Sequence, residues 1–179
     1  AIYEDEKMVF KASVKHDSDI ILSFHKMIDQ LDFRMQAIMD ELKKDRIDLS
    51  TLDAVVGRGG MLKPIPSGTY AVSDQMIQDM KDARRGEHAS NLGCIIAKMI
   101  ADQYGLPSFI VDPVAVDEMD DIARYTGMPD IKRDSLFHAL NQKAVARKVA
   151  RDLGRPYETL DLVVVHLGGG ISVGAHHLG

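Results

Sequence analysis

Residues 161–177 read "DLVVVHLGGGISVGAHH" and carry the strongest fold signal in the chain. Two runs rich in β-branched residues flank three consecutive glycines, Gly168, Gly169 and Gly170. The runs predict two strands, and the glycines predict the turn between them. A tight hairpin turn explains three glycines without any ligand. Glycines in that place also allow the backbone to approach a bound group closely, so the rest of the chain has to decide between the two interpretations.

Outside this hairpin, helices alternate with short apolar strands. "DAVVG", "GTYAV" and "PSFIVD" predict strands, and residues 74–84, 87–105 and 136–154 predict helices. Apolar residues at steps of three and four predict a further amphipathic helix over residues 19–44, broken near Gln30. A coiled coil is the alternative for that segment, but the pattern stops after these few turns. The order of elements predicts an α/β protein with a mixed sheet.

One predicted helix carries a stripe of small residues. Ala89, Gly93, Ala97 and Ala101 are spaced four apart and therefore lie on one helix face. A face without large side chains lets another element approach closely, so we expect this helix in the middle of a domain.

Composition excludes several classes of function. The 179 residues carry a formal net charge of -5, which argues against a general nucleic-acid or anionic-membrane surface. A single cysteine excludes an intrachain disulfide and favours a cytoplasmic location. No apolar run approaches the ~20 residues of a transmembrane helix. A small anionic substrate is still compatible with this charge.

Five loops place polar residues where a strand ends or a helix begins. They hold Arg58 in "GRGG", His88 and Asn91 in "GEHASN", Asp112 in "IVDP", and His138 in "LFHALNQ", with "HLGGGIS" as the last. Each loop alone has an ordinary structural explanation, such as a solvated arginine or a turn before proline. Ligands of open α/β sheets bind at strand ends, however, so the whole set predicts a binding cleft.

Taken together and in order, these motifs resemble the butyrate kinase family. The matching stretches are "VVGRGGMLKPIPSGTY", "GEHASNLG", "FIVDPVAVDEM", "SLFHALNQKAVAR" and "VVHLGGGISVGAH". The family lies in the acetate kinase branch of the sugar kinase, heat-shock ATPase and actin superfamily. The acetate enzymes are similar but carry "HRVVHGG" and "HLGNGSS" where this chain has "VGRGG" and "HLGGGIS". The resemblance implies an actin-like ATPase, or ribonuclease H-like, α/β fold.

The resemblance also implies an activity, the reversible transfer of the γ-phosphoryl group between ATP and butyrate with Mg²⁺. A carboxylate has a pKa near ~4–5 and is already ionised at neutral pH, so the reaction needs positioning and charge stabilisation more than a strong base. Acetate, propionate or isobutyrate remain alternative substrates. A non-catalytic nucleotide-binding module of the same fold is the alternative of a different class.

Roles follow for the matching residues. Arg58 resembles the family arginine that grips the carboxylate or phosphoryl group, and His138 resembles the histidine that stabilises the transition state. Asp112 resembles the active-site aspartate, with Mg²⁺ bound directly or through water. His166 with Gly168, Gly169 and Gly170 resembles a loop that binds ATP phosphates. His88 and Asn91 match the substrate region between the lobes.

Two further positions are candidates for contact with the acyl chain. Gly60 stands where the acetate enzymes resemble one another in having valine, and its missing side chain is expected to leave room for a longer acid. Phe137, beside His138, is the candidate pocket wall. On this interpretation, Gly60→Val favours acetate over butyrate.

The resemblance implies that the chain is a fragment. Residues 1–112 are expected to form an N-terminal lobe without its opening strand and first phosphate loop. Residues 113–179 are expected to begin a C-terminal lobe, with helices between the lobes and the phosphate-loop hairpin. Such a fragment is expected to be inactive alone. The family resemblance suggests a homodimer or larger homo-oligomer for the full-length protein.

Overall fold

The computed structural model describes all 179 residues, which form seven strands and five α-helices joined by loops and short 3₁₀ turns. The strands are β1 (Ile2–Glu4), β2 (Lys7–Phe10), β3 (Val55–Gly57), β4 (Thr69–Ala71), β5 (Ser108–Val111), β6 (Asp161–Leu167) and β7 (Ile171–His177). The helices are α1 (Ser18–Leu22), α2 (Leu31–Lys44), α3 (Asp74–Asp82), α4 (Asn91–Tyr104) and α5 (Ala139–Asp152). No helix combines the length and the apolar composition that crossing a membrane requires.

The central sheet is mixed, as the sequence predicts. β5 lies in the middle, parallel to β3 and antiparallel to β4. Gly57 of β3 pairs with Ile110 of β5, so the two parallel strands end at the same edge of the sheet. Arg58 follows the first strand and Asp112 follows the second, and this register brings both to one edge.

Helix α4 packs on this sheet through backbone contact. A Cβ added to Gly57 would lie 2.2 Å from the carbonyl oxygen of Gly93 and 2.9 Å from Cβ of Ala97. A Cβ added to Gly93 would lie 2.5 Å from the carbonyl oxygen of Arg58. Gly93 and Ala97 therefore receive strand β3, which confirms the prediction of close approach. The predicted start of this helix was wrong, because α4 begins at Asn91 and the exposed Ala89 precedes it. Cys94 and Ile95 on the same helix join the buried core beside Ile110.

The segment over residues 19–44 is not one helix. Helix α1 ends at Leu22, a 3₁₀ turn covers Met27–Gln30, and α2 begins at Leu31. The predicted break near Gln30 is confirmed, but residues 23–26 are not helical, so the prediction was wrong there. Helix α2 packs into the domain, with Met35 in one buried cluster beside Leu92 and Ile96 of α4.

Helix α5 covers one face of the β6–β7 hairpin. The two strands pair in antiparallel register from Asp161↔His177 to Leu167↔Ile171, which leaves Gly168–Gly170 as the three-residue turn. Ala146 and Ala150 of the helix pack with Val164 of the hairpin in a separate buried cluster. The opposite face of the hairpin is apolar and exposed, and its side chains are Val163, Val165, Leu167, Ile171 and Val173.

Predicted helix ends are also confirmed. The Ser73 hydroxyl accepts a hydrogen bond from the Met76 N–H at the start of α3. Gly105 ends α4 in the left-handed conformation, with φ of 67°. Gly154 follows α5 with φ of 64°.

The contact between β3 and α4 gives a prediction of stability. We expect Gly57→Ala to lower the free energy of unfolding by about 3 kcal/mol, because the new methyl group would overlap backbone atoms that cannot rotate away. Denaturant unfolding followed by circular dichroism measures the change. Gly169→Ala is the matched control, since nothing lies within 4 Å of a Cβ there, and should change stability by less than about 1 kcal/mol. Equal losses in the two variants would contradict the backbone contact.

Candidate active site

Three of the predicted site residues meet in one small cleft. Arg58, Asp112 and His138 line this cleft together with Gly59, Val111, Pro113, Val114, Ala139 and Leu140. Arg58 and Asp112 come from the edge of the central sheet, and His138 comes from the start of α5. The cleft therefore lies between the central sheet and the unit formed by α5 and the hairpin.

Asp112 is held firmly at the end of β5. It is 3% exposed and has φ of 39°, a left-handed conformation that aspartate tolerates better than most residues. Gly68 fixes it twice: the Gly68 N–H donates to Oδ1 at 2.8 Å, and the Asp112 N–H donates to the Gly68 carbonyl at 3.0 Å. Its Oδ2 lies 3.4 Å from Nη1 of Arg147 on helix α5. One carboxylate oxygen thus accepts a backbone hydrogen bond, and the other faces a cation.

Arg58, in contrast to Asp112, has an unpaired side chain. Its side chain is exposed and makes no hydrogen bond or ion pair with any other residue. Its backbone, by contrast, is pressed against Gly93, and the following Gly59 is packed against Pro113. A rigid backbone with an unpaired guanidinium at the cleft is suited to bidentate binding of an anion.

His138 is oriented by Ser172 of the hairpin. Its Nδ1 lies 2.9 Å from the Ser172 hydroxyl oxygen, and its backbone N–H also points at that oxygen at 3.4 Å. On the other side of the ring, a Cβ added to Gly170 would lie 3.1 Å from Cε1 and 3.2 Å from Nε2. A side chain in place of the last glycine of the turn would therefore press on the imidazole, which would have to shift by a few tenths of an ångström.

His138 also stacks on His166. The two imidazole rings are 3.7 Å apart and nearly parallel, at 3°. Burial lowers the pKa of His138 most, and the charges of His166, Arg58 and His88 lower it further. His138 is therefore neutral at neutral pH, and one of its nitrogens can donate while the other accepts.

The predicted phosphate loop is open to solvent. Gly168, Gly169 and Gly170 are all exposed, and none has a positive φ. The Gly168 N–H donates to the Gly170 carbonyl at 3.1 Å, which closes the turn. His166, just before the loop, has Nδ1 at 3.0 Å from Nδ2 of Asn141. The turn therefore lies beside the cleft, with His138 against its last residue.

Asn91 is a structural clamp in this arrangement. It is 2% exposed, its Oδ1 accepts from the Met61 N–H at 2.9 Å, and its Nδ2 donates to the Gly86 carbonyl at 3.0 Å. Its amide is thus committed to two backbone groups, in contrast to the predicted contact with substrate. His88 is exposed, and its Nδ1 lies 2.7 Å from the Ser90 hydroxyl and accepts from the Ser90 N–H at 3.2 Å, so its Nε2 is the nitrogen that remains available.

The geometry at Gly60 does not support the expected opening for an acyl chain. A Cβ there would lie 2.4 Å from the sulfur of Met80 and 2.6 Å from Cα of Asn91. The space beside Gly60 is therefore filled by the protein, and Gly60→Val is expected to disturb the loop before it changes the choice of acid. Phe137 is half-buried and donates its N–H to the Val114 carbonyl at 3.3 Å, but its side chain does not line the cleft.

No role was predicted from the sequence for three residues of this region: Arg147, Ser172 and Gln142. Arg147 neutralises Asp112, while Gln142 Nε2 donates to the Ser172 hydroxyl at 2.8 Å. A signal was present, because Gln142 is four residues after His138 and therefore lies on the same face of the helix. The partner of that face could not be read from the sequence.

The fold is similar to that of a solved carboxylate kinase. Acetate kinase of Porphyromonas gingivalis superposes with a TM-score of 0.64 over 82% of this chain and 40% of its own, at 18% sequence identity. The chain therefore has an actin-like ATPase fold, and in particular the architecture of part of an acetate kinase. No protein-family model matches the sequence.

Sequence relatives narrow the assignment. The chain is 54% identical over 178 residues to a probable butyrate kinase of Clostridium botulinum, covering 99% of the chain and 50% of the relative. It is 56% identical over 180 residues to a probable butyrate kinase of Coprothermobacter proteolyticus, and 54% identical over 175 residues to butyrate kinase 1 of Clostridium acetobutylicum. By sequence the chain is similar to the butyrate kinases, and it spans about half the length of these curated relatives.

The lowered pKa of His138 predicts a pH dependence of stability. The unfolded chain binds the proton near the ordinary histidine pKa of ~6.5, whereas the folded protein binds it only at lower pH. The stabilisation is thus complete above the ordinary pKa and is lost as pH falls through the lowered one. Urea unfolding at pH 7.5, 6.5 and 5.5 should show a shallower loss in His138→Gln than in wild type. An identical pH dependence would contradict the assigned shift, and the exposed His25→Gln is the control.

Proposed function

We propose that the complete protein transfers the γ-phosphoryl group between ATP and a short-chain carboxylate, with butyrate as the preferred acid. The observation that carries the proposal is the meeting of Arg58, Asp112 and His138 in one cleft beside the glycine turn. The relatives named butyrate kinase and the fold shared with acetate kinase support the same reaction.

The reaction does not require a strong general base, because the carboxylate is already ionised at neutral pH. A carboxylate oxygen of the acid forms a bond to the γ-phosphorus while the bond from that phosphorus to the β–γ bridging oxygen breaks, and ADP leaves with the bond's electrons. Two anions must approach, so charge neutralisation and alignment limit the rate. Arg58 supplies an unpaired cation with planar donor geometry for the carboxylate or the phosphoryl oxygens. His138, neutral and half-buried, supplies a donor to the equatorial oxygens as charge develops.

The glycine turn is proposed to hold ATP phosphates. Gly169 and Gly170 are exposed, and nothing lies within 4 Å of a Cβ at Gly169, so backbone N–H groups of the turn can approach phosphate oxygens. His166 stands at the start of the turn, and its stacking on His138 links phosphate binding to the ring that contacts the transferring group. Binding and chemistry would therefore share one rigid unit.

Mg²⁺ is proposed as the metal, and the residues present are compatible with it. No group of three or more His, Cys, Asp or Glu side chains could hold an ion, and Asp112 is the acid at the cleft. Phosphoryl-transfer sites commonly bind Mg²⁺ with one or two carboxylates, substrate phosphates and water. Asp112 Oδ2 would serve directly or through water, while Oδ1 stays bonded to Gly68. When bound, the ion would neutralise phosphate charge.

The larger organisation is also part of the proposal. Residues 1–112 would form most of one lobe, and residues 113–179 would begin the second. The exposed apolar face of the hairpin supports this, as expected of a sheet that continues into a larger lobe. We further propose a cytoplasmic homodimer or larger homo-oligomer.

Arg58 provides the test of the proposed function. We expect Arg58→Ala in the complete protein to lower the rate of acyl phosphate formation by about 10²- to 10³-fold, because a charge-stabilising donor is lost. Arg58→Lys should restore only part of the lost rate, since an ammonium group cannot form a bidentate contact. Trapping of butyryl phosphate with hydroxylamine measures the rate, with acetate, propionate and isobutyrate compared with butyrate.

Arg84→Ala is the matched control, because Arg84 is an exposed arginine paired with Asp82 on helix α3. It should leave the rate within twofold of wild type. Unchanged acyl phosphate formation in Arg58→Ala would overturn the role of this arginine. Absence of acyl phosphate from every acid in the wild-type protein would overturn the proposed function.

A further inference from the structure

A continuous line of hydrogen bonds runs from the interior to the cleft. Tyr157 bonds to His176, His176 to Gln142, Gln142 to Ser172, and Ser172 to His138. The distances are 2.5 Å from Tyr157 Oη to His176 Nδ1, 3.1 Å from His176 Nε2 to Gln142 Oε1, 2.8 Å from Gln142 Nε2 to Ser172 Oγ, and 2.9 Å from Ser172 Oγ to His138 Nδ1. The three inner side chains are all less than 9% exposed. None of these three side chains lines the cleft.

The Ser172 carbonyl shows which way the Gln142 amide is oriented, and the His176 ring holds the other end of the amide. Gln142 Nε2 also lies 3.2 Å from the Ser172 carbonyl oxygen, which can only accept. The nitrogen of the amide must therefore face Ser172, and its oxygen must face His176. Because that oxygen can only accept, the proton between Gln142 and His176 belongs to His176 Nε2.

The protonation of the other His176 nitrogen, Nδ1, follows from the proton on Nε2. With its proton on Nε2, a neutral His176 accepts at Nδ1, and the Tyr157 hydroxyl donates to it. Burial lowers the pKa of His176 most, and Lys143 lowers it further, while Glu118 acts in the opposite sense. Burial raises the pKa of the Tyr157 hydroxyl and keeps it protonated. Both groups are thus neutral at neutral pH.

The hydrogen bonds of Ser172 determine the tautomer of His138. Its hydroxyl oxygen accepts from Gln142 Nε2 and faces the backbone N–H of His138 at 3.4 Å, so both of these groups present protons to it. The serine's own proton then has one remaining acceptor, Nδ1 of His138. A neutral His138 must therefore carry its proton on Nε2, the nitrogen next to Gly170 and away from Ser172.

We propose that Gln142, His176 and Tyr157 are positioning residues that hold His138 in the tautomer with its proton on Nε2. This inference deepens the proposed function and rests on it for its consequence, which is that His138 presents an N–H, and never a lone pair, to the phosphoryl oxygens. Without the line, Ser172 could reverse its hydroxyl, and His138 could place its proton on Nδ1. The ring would then face phosphate oxygens with a lone pair and repel them.

Gly174 makes room for the line. A Cβ at this position would lie 2.2 Å from Gln142 Oε1 and 3.0 Å from His176 Nε2. A side chain there would separate the amide from the imidazole. The glycine in the middle of strand β7 therefore has a reason that the fold alone does not give, since its backbone φ is not positive.

The first test measures tautomers directly. Long-range ¹H–¹⁵N spectra of the histidine-labelled complete protein report which ring nitrogen carries the proton. In wild type we expect Nε2 to be protonated in both His138 and His176. Protonation of Nδ1 in either ring would overturn the proposal, and this measurement needs no variant to fold.

The second test breaks the line at its centre. We expect His176→Leu to give His138 a mixture of tautomers, whereas His176→Gln should retain the Nε2 form because its amide nitrogen can still donate to Gln142. His177→Leu is the matched control, since the next residue is exposed and pairs only with Asp161 at 2.6 Å. A purely Nε2-protonated His138 in a folded His176→Leu would overturn the proposal.

Kinetics gives a third readout. For butyrate phosphorylation we expect His176→Leu to lower kcat about 10- to 100-fold with KM for butyrate nearly unchanged, and His176→Gln to recover most of it. Equal loss in the His177→Leu control would overturn the assignment. If the expected tautomers are found but the wild type forms no acyl phosphate, the proposed function fails while the assignment of the hydrogen-bond line stands.

Discussion

The backbone contact between strand β3 and helix α4 is the constraint on which the cleft depends. Gly57 and Gly93 have no side chains to separate these elements, so the strand lies directly on the helix. Arg58 leaves the sheet at that point with its backbone pressed against Gly93 and its guanidinium unpaired. The parallel register with β5 then places Asp112 at the same edge. A single close approach thus fixes both residues that the central sheet contributes.

Helix α5 brings the second side of the cleft to this edge. Lys143 lies 2.5 Å from Glu118 and 3.2 Å from the Ser67 hydroxyl, and Arg147 reaches Asp112. These contacts tie the helix to loops of the central sheet, while its apolar side stays on the hairpin. His138 begins the helix and bonds to Ser172, so the ring, the helix and the glycine turn are directly connected. The arrangement also balances charge, because the cation beside Asp112 leaves Arg58 free for an anion.

Local features were well predicted from the sequence, and features that depend on a distant partner were not. The hairpin, the cap at Ser73 and the stop at Gly105 follow from short-range geometry and are confirmed. The roles of Asn91 and Gly60 were harder, because their environment is made by Met80 and backbone groups far along the chain. Apolar spacing also continued through residues 23–26, where the chain is not helical. The roles given to the cleft residues come from the family resemblance and stay predictions.

We propose that the cleft binds the transferring phosphoryl group between Arg58 and His138. A crystal structure of the complete protein with butyryl phosphate, ADP and Mg²⁺ tests this binding mode. We expect phosphoryl oxygens within hydrogen-bond distance of the Arg58 guanidinium and of His138 Nε2. Butyryl phosphate bound elsewhere, with both side chains free of contact, would contradict it.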